Sequence, residues 1–194
     1  MKLKPIVVFP ALIAFVLLLS VAIIMIGDNA NSNNGRLGGD FTLTSDKGPV
    51  SLSDFDDKLK LVFFGYTHCP DICPLSLANV KVAMKQLSEE VVNQTQTIFV
   101  SVDPKRDNVE HLARYVGFFD KRFIGVTGTK EEIDKVVKQY GAFYRMVETP
   151  DSAMGYTVDH SARIYLIGRD NQIKEYLYHD SKPEEIAAAI QKAL

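Results

Sequence analysis

The chain has 194 residues, 46% of them hydrophobic, with 24 acidic against 22 basic side chains. That is enough apolar material for a single core, and a net charge of −2 gives no support for nucleic-acid binding. No internal period divides the chain into repeats.

Taken in order, Ile6 to Ile26 is an uncharged apolar run of 21 residues, long enough to cross a bilayer core as one helix. Lys2 and Lys4 precede it and Asp28 follows, an asymmetry that holds the N-terminus in the cytoplasm and sends the remainder across. A cleaved signal peptide is the rival reading, but its apolar region normally has only about 7 to 15 residues. Residues 1–28 are therefore expected to form a transmembrane anchor, and the polar, glycine-rich stretch 29–39 a flexible tether. Residues 40–194 then form one exported domain, carrying about −4 once Lys2 and Lys4 are set aside. No Arg- and Ser-rich presequence precedes the run, so the expected location is a bacterial inner membrane with the domain in the periplasm, an oxidising space.

Phe41 to Thr44 and Val50 to Leu52 flank the turn cluster Asp46-Lys47-Gly48-Pro49 and predict a small hairpin. Ser53 and Asp54 are candidate caps for a short helix. Leu61 to Phe64, ended by Gly65, predicts a buried strand, and a helix with Pro74 in its first turn follows to about Val92. Thr97 to Val102 predicts a second buried strand, Val109 to Phe119 a helix capped by Asn108, and Phe123 to Val126 a third apolar run. Thr129 and Glu132 form a capping-box signal for a helix reaching Tyr140. Short β segments at Tyr156 to Val158 and Arg163 to Ile167 surround Asp159-His160-Ser161, Asp170-Asn171 turns into a strand at Ile173 to Tyr178, and Pro183 to Ala193 closes the chain as an amphipathic helix. Strands interleaved with helices predict a mixed sheet packed between helices, with a site beyond the carboxyl ends of its strands.

Cys69 and Cys73, the only cysteines, stand at such a place, between the first buried strand and its helix. Four apart on one helical turn they would lie roughly 6 Å apart, close enough to form a disulfide or share a soft metal ion. The free N–H groups of a helix start favour the thiolate. A structural disulfide closing so short a loop contributes only about 2 kcal/mol, so redox or metal chemistry is the better reading. Among the four histidines, His68 adjoins Cys69 and would point elsewhere, His111 lies on the polar side of a helix, and His179 follows a strand among charged neighbours; all three read as solvated surface residues. His160 differs, because it sits in a turn entering a strand beside Asp159, a candidate partner for its second ring nitrogen. Two thiolates suit Cu(I), and one imidazole added to them tolerates both copper oxidation states, with Zn²⁺ in a Cys₂His site as the competing metal.

With these motifs the chain resembles the Sco/SenC family of membrane-anchored, thioredoxin-like proteins that deliver copper during assembly of cytochrome c oxidase. The resemblance rests on Phe64-Gly65-Tyr66-Thr67-His68-Cys69-Pro70-Asp71-Ile72-Cys73-Pro74, on Ser101-Val102-Asp103-Pro104-Lys105-Arg106-Asp107 and on Val158-Asp159-His160-Ser161, with Gly39-Asp40-Phe41 ahead of them. It implies an α/β fold, a thioredoxin-like mixed sheet flanked by helices with an added β-hairpin, and Cys69, Cys73 and His160 as ligands of one copper ion, Cu(I) or Cu(II). The implied acceptor is the copper A site on cytochrome c oxidase subunit II, with another periplasmic copper chaperone or thiol reductase as a further partner. Asp71, between the thiols, is a candidate to tune them. Gly168-Arg169 departs from the Asp-containing turn that the resemblance leads one to expect there. The same residues fit a membrane-anchored thiol:disulfide reductase with Cys69 and Cys73 catalytic, although reductases of this fold usually carry Cys-x-x-Cys and a proline where His160-Ser161 stands. A copper or redox sensor would need a signalling region, which the few residues ahead of the anchor do not supply.

Overall fold

The computed structural model describes residues 36–152 and 154–194, so the expected anchor and most of the expected tether lie outside the described residues. Among the described residues no helix is long and apolar enough to cross a membrane. The last part of the expected tether packs on the domain: Gly38 N–H donates to the Gln139 carbonyl at 3.0 Å, and Gly39 N–H to that of Asn171 at 2.9 Å.

Strand β1 (Thr42–Ser45) and strand β2 (Gly48–Ser51) form the predicted hairpin. A 3₁₀ turn follows at Leu52–Phe55, capped by Ser51, two or three residues earlier than a cap at Ser53 or Asp54 would place it. Leu52 is wholly buried and pulls the turn inward, while the Asp54 carboxylate accepts the Ser51 N–H at 2.8 Å. Next comes β3 (Leu59–Gly65), and its seven residues are all buried.

The predicted single helix after it is two. Helix α1 (Ile72–Gln86) stops where Leu87 turns extended, and α2 (Glu89–Asn93) restarts under a Ser88 cap whose hydroxyl accepts the Val91 N–H at 3.4 Å. Val91 and Val92 continue the apolar spacing, which hides this break in the sequence. Strand β4 (Thr95–Ser101) is also buried throughout and runs parallel to β3. Helix α3 (Val109–Phe119) starts at its predicted cap, with Asn108 accepting the His111 N–H at 2.8 Å. Strand β5 (Ile124–Val126) lies parallel to β4, and α4 (Lys130–Gln139) opens on the Thr129–Glu132 capping box.

Strands β6 (Tyr144–Thr149) and β7 (Gly155–His160) form an antiparallel ribbon of their own. No strand is predicted at β6, whose six residues are all only partly buried or exposed and so carry no clear alternation. Strand β8 (Arg163–Ile167) runs antiparallel to β3, β9 (Ile173–Tyr178) pairs with β8, and α5 (Pro183–Ala193) packs on α1. The main sheet thus has the order β5-β4-β3-β8-β9, with three parallel strands and two antiparallel ones. The most buried strands, β3 and β4, deliver their carboxyl ends to the same place.

One charged side chain crosses this core. Lys60 is fully buried on β3, and its ammonium donates to the Gly168 carbonyl at 3.0 Å with Asp56 3.9 Å away. Burial pushes the Lys60 pKa down, against the pull of Asp56. The unexpected Gly168 therefore has a use: its carbonyl answers Lys60, and a Cβ there would run into the Lys174 and Asp170 side chains.

Candidate metal centre

Past Gly65 the chain makes a tight turn, with Cys69 N–H donating to the Tyr66 carbonyl at 3.3 Å. Cys73 then falls in the first turn of α1, and Cys69 stands just ahead of the helix. Its sulfur acts as a cap, accepting the Cys73 N–H at 3.5 Å. Asp71, the N-cap residue, makes no side-chain capping bond. Its backbone, together with that of Cys73, helps hold the Cys69 thiolate. Gly65 is required by packing, since a Cβ there would lie 2.7 Å from the Cys73 sulfur and 2.9 Å from the Phe99 ring.

His160 comes from 87 residues away, at the end of β7 rather than in a turn. Its Nε2 lies 3.4 Å from the Cys73 sulfur, and the Nδ1 side faces the Ser161 carbonyl at 3.2 Å. With an ion bound, that carbonyl would keep the ring proton on Nδ1 and leave the Nε2 lone pair for the metal. Asp159 does not take this part: successive strand residues face opposite sides, and its carboxylate pairs with Arg145 at 2.7 Å in solvent. Edge contacts with Phe63 at 6.0 Å and Tyr66 at 5.8 Å hold the imidazole plane.

The donor atoms of Cys69, Cys73 and His160 lie within 4.8 Å of one another. A tetrahedral ion bound by sulfur and imidazole holds those two atoms about 3.5 Å apart, so the Cys73–His160 pair is already at ligand spacing. Both thiols are free, Cys73 buried and Cys69 partly exposed. They differ in acidity. A hydrogen bond from Cys73, then one from His160 and the backbone N–H groups, holds the Cys69 thiol down at about 3, while burial and then the neighbouring Cys69 push that of Cys73 well up.

A latch that the sequence did not reveal ties the histidine ribbon to the sheet. Asp103, fully buried just beyond β4, accepts Arg106 Nε and, at 2.8 Å, the Tyr156 hydroxyl. The Arg106 guanidinium lies 3.7 Å over the Tyr156 ring and donates to the Tyr156 carbonyl at 3.0 Å. Two acids flanking an arginine in Asp103-Pro104-Lys105-Arg106-Asp107 were the available signal. His68 is exposed as expected and His111 is partly buried, yet both turn a ring nitrogen to the Thr67 hydroxyl, beside buried Asp107. Partly buried His179 follows β9 and joins neither group of donors.

Comparison with known proteins places this geometry. A family model described as SCO1/SenC matches residues 29–194. A SCO2-like protein of Rickettsia felis is 36% identical over 159 residues, covering 81% of this chain and 77% of that one. The mitochondrial SCO1 homolog of Mus musculus is 39% identical over 79% of this chain, which spans 55% of that longer protein. Among solved structures, Arabidopsis thaliana ScoI with copper bound is 34% identical with a TM-score of 0.75, covering 81% of this chain and 97% of that one. Bradyrhizobium japonicum ScoI with copper bound is 37% identical with a TM-score of 0.73, covering 81% and 99%. The thioredoxin-like sheet and nearly the whole described chain are common to these proteins. The chain therefore belongs to the SCO1/SenC family.

Proposed function

We propose that this protein binds one copper ion per chain, as Cu(I) or Cu(II), through Cys69, Cys73 and His160, and hands it to the copper A centre on cytochrome c oxidase subunit II during assembly. The observation that carries the reading is the convergence of two free thiols and one imidazole, with Cys73 Sγ and His160 Nε2 3.4 Å apart. Soft sulfur donors favour Cu(I), and the imidazole extends the site to Cu(II). Three donors leave a side open to an acceptor's ligands; Cys73 is buried, whereas Cys69 and His160 are only partly so. The apolar run Ile6 to Ile26 would keep the domain at the periplasmic face of the inner membrane, beside a membrane-embedded oxidase, with another periplasmic copper chaperone or thiol reductase supplying copper or electrons. Titrating the reduced chain with copper tests this: one ion per chain at the thiols, with a thiolate charge-transfer band for Cu(II), is expected. Binding no tighter than that of a Cys69→Ser/Cys73→Ser variant would refute it.

The inequality of the two thiols favours a second reading, a membrane-anchored thiol:disulfide reductase. The Cys69 thiolate attacks a substrate disulfide and releases one substrate thiolate; Cys73 then displaces the other, leaving a Cys69–Cys73 disulfide and a reduced substrate. Alkylation of the metal-free, reduced chain checks the premise. A free thiol near 8.5 reacts about tenfold faster per pH unit below that value. Cys69, held at about 3, stays ionised above it and loses its thiolate only as pH falls through that range. One thiol should therefore react with iodoacetamide at a rate nearly flat from about pH 5 to 8. A rate that climbs steadily toward pH 9 would contradict it.

A further inference from the structure

We propose that His68, His111 and Asp107 form a second metal site, distinct from the thiol site and suited to a divalent ion, Cu(II). The three residues come from the turn after β3, from the first turn of α3 and from the loop just ahead of α3. Their ligand atoms lie within 4.8 Å of one another. The two imidazole rings are 5.9 Å apart and tilted by 32°.

The carboxylate gives this cluster its force. Asp107 is fully buried, and its Oδ2 accepts the Thr67 N–H at 2.9 Å and the Ser101 hydroxyl at 2.7 Å. Its Oδ1 accepts the Thr67 hydroxyl at 2.6 Å and faces His68 Nδ1 at 3.6 Å. The nearby Arg106 is committed to Asp103. Among the described residues the ion-pairing group within reach of Asp107 is His68, which is charged only when protonated. A buried carboxylate is ordinarily paired with a fixed cation or engaged by a metal. Here the fixed cation is missing and two imidazoles stand in its place.

Both rings turn to one hydroxyl, which an entering ion would displace. Thr67 Oγ1 lies 2.9 Å from His111 Nε2 and 3.1 Å from His68 Nδ1, so a single hydroxyl sits where the nitrogens converge. A bound ion takes the two nitrogen lone pairs and Oδ1, and the nitrogens give up the protons they share with Thr67. His68 is 43% exposed, which opens the cluster to solvent and to an entering ion. Imidazole and carboxylate without thiolate select Cu(II) over Cu(I), because soft ligands are what hold the reduced ion. The choice of copper over Zn²⁺ rests on the copper reading above; the existence of the site does not.

Cu(II) titration of the full chain carrying Cys69→Ser, Cys73→Ser and His160→Ala tests the site with the thiol centre removed. One Cu(II) is expected, with paramagnetic resonance showing coupling to two imidazole nitrogens and with no thiolate band. Adding His111→Ala should weaken that binding by at least about tenfold. A second measurement does not depend on the triple variant folding: the otherwise native chain with His111→Ala should lose one equivalent of nitrogen-bound Cu(II) and keep its thiolate band unchanged. Binding that is indifferent to His111→Ala in both chains overturns the second site and leaves the thiol site standing. Nitrogen-bound copper that disappears with His111→Ala in a chain showing no thiolate band supports the second site and refutes the thiol reading alone.

Discussion

Replacing His160 with alanine is expected to lower Cu(II) affinity at the thiols by at least about a hundredfold while leaving Cu(I) held by Cys69 and Cys73. The two effects separate because the donors do. Two thiolates satisfy Cu(I) on their own, whereas Cu(II) needs the harder nitrogen that Nε2 supplies 3.4 Å from the Cys73 sulfur. The other clustered histidines, His68 and His111, share their donor group with Asp107 and not with the cysteines. No neighbour in that group replaces the lost ring.

The thiolate charge-transfer band is the right readout for His160→Ala, since total copper would also count an ion at His68 and His111. A band at native strength, with native affinity, would show that His160 is not a ligand. The reductase reading makes a different forecast for the same variant. Disulfide exchange runs through Cys69 and Cys73, so it should persist, slowed only to the extent that His160 helps hold the Cys69 thiolate.

Much of the fold was legible in the sequence, and the reasons are local. Asn108, Thr129 with Glu132, and Pro183 are residues whose chemistry fixes a helix start, and α3, α4 and α5 begin where they stand. The continuous apolar runs of β3 and β4 reflect burial on both faces of a parallel pair. Other features depend on contacts that no local pattern carries. The break between α1 and α2 lies inside an unbroken apolar spacing, and only the Ser88 cap marks it. Among the described strands β6 pairs only with β7, and none of its residues is fully buried, so its sequence bears little trace of a buried face. Asp159 seemed the natural partner of His160 because it is adjacent, yet adjacency on a strand puts the two side chains on opposite sides. His111 looked solvated on a polar helix face, because Thr67 and Asp107, which give it company, meet it only in the folded chain.

Arg106→Ala should cost about 3 to 5 kcal/mol of stability, the usual penalty for stranding a buried charge. Asp103 is fully buried and Arg106 only 15% exposed, so the lost cation is not replaced by water. For a domain of this size that corresponds to a fall in Tm on the order of 10 °C. Function should suffer separately. The β6–β7 ribbon is not hydrogen-bonded as part of the main sheet, and His160 is its last residue. Arg106 fastens the ribbon by its bond to the Tyr156 carbonyl and its stacking on the Tyr156 ring, four residues ahead of His160. Without it His160 is held less firmly, and Cu(II) affinity should drop by about tenfold. The double variant Asp103→Asn/Arg106→Ala separates the two effects, since an amide in place of the carboxylate removes the stranded charge without restoring the stacking or the carbonyl bond. Melting should recover much of the loss, and Cu(II) affinity should not. A single variant that melts like the native protein would show that the pair is not a latch, and a double variant that recovers both properties would show that Arg106 acts only by neutralising Asp103.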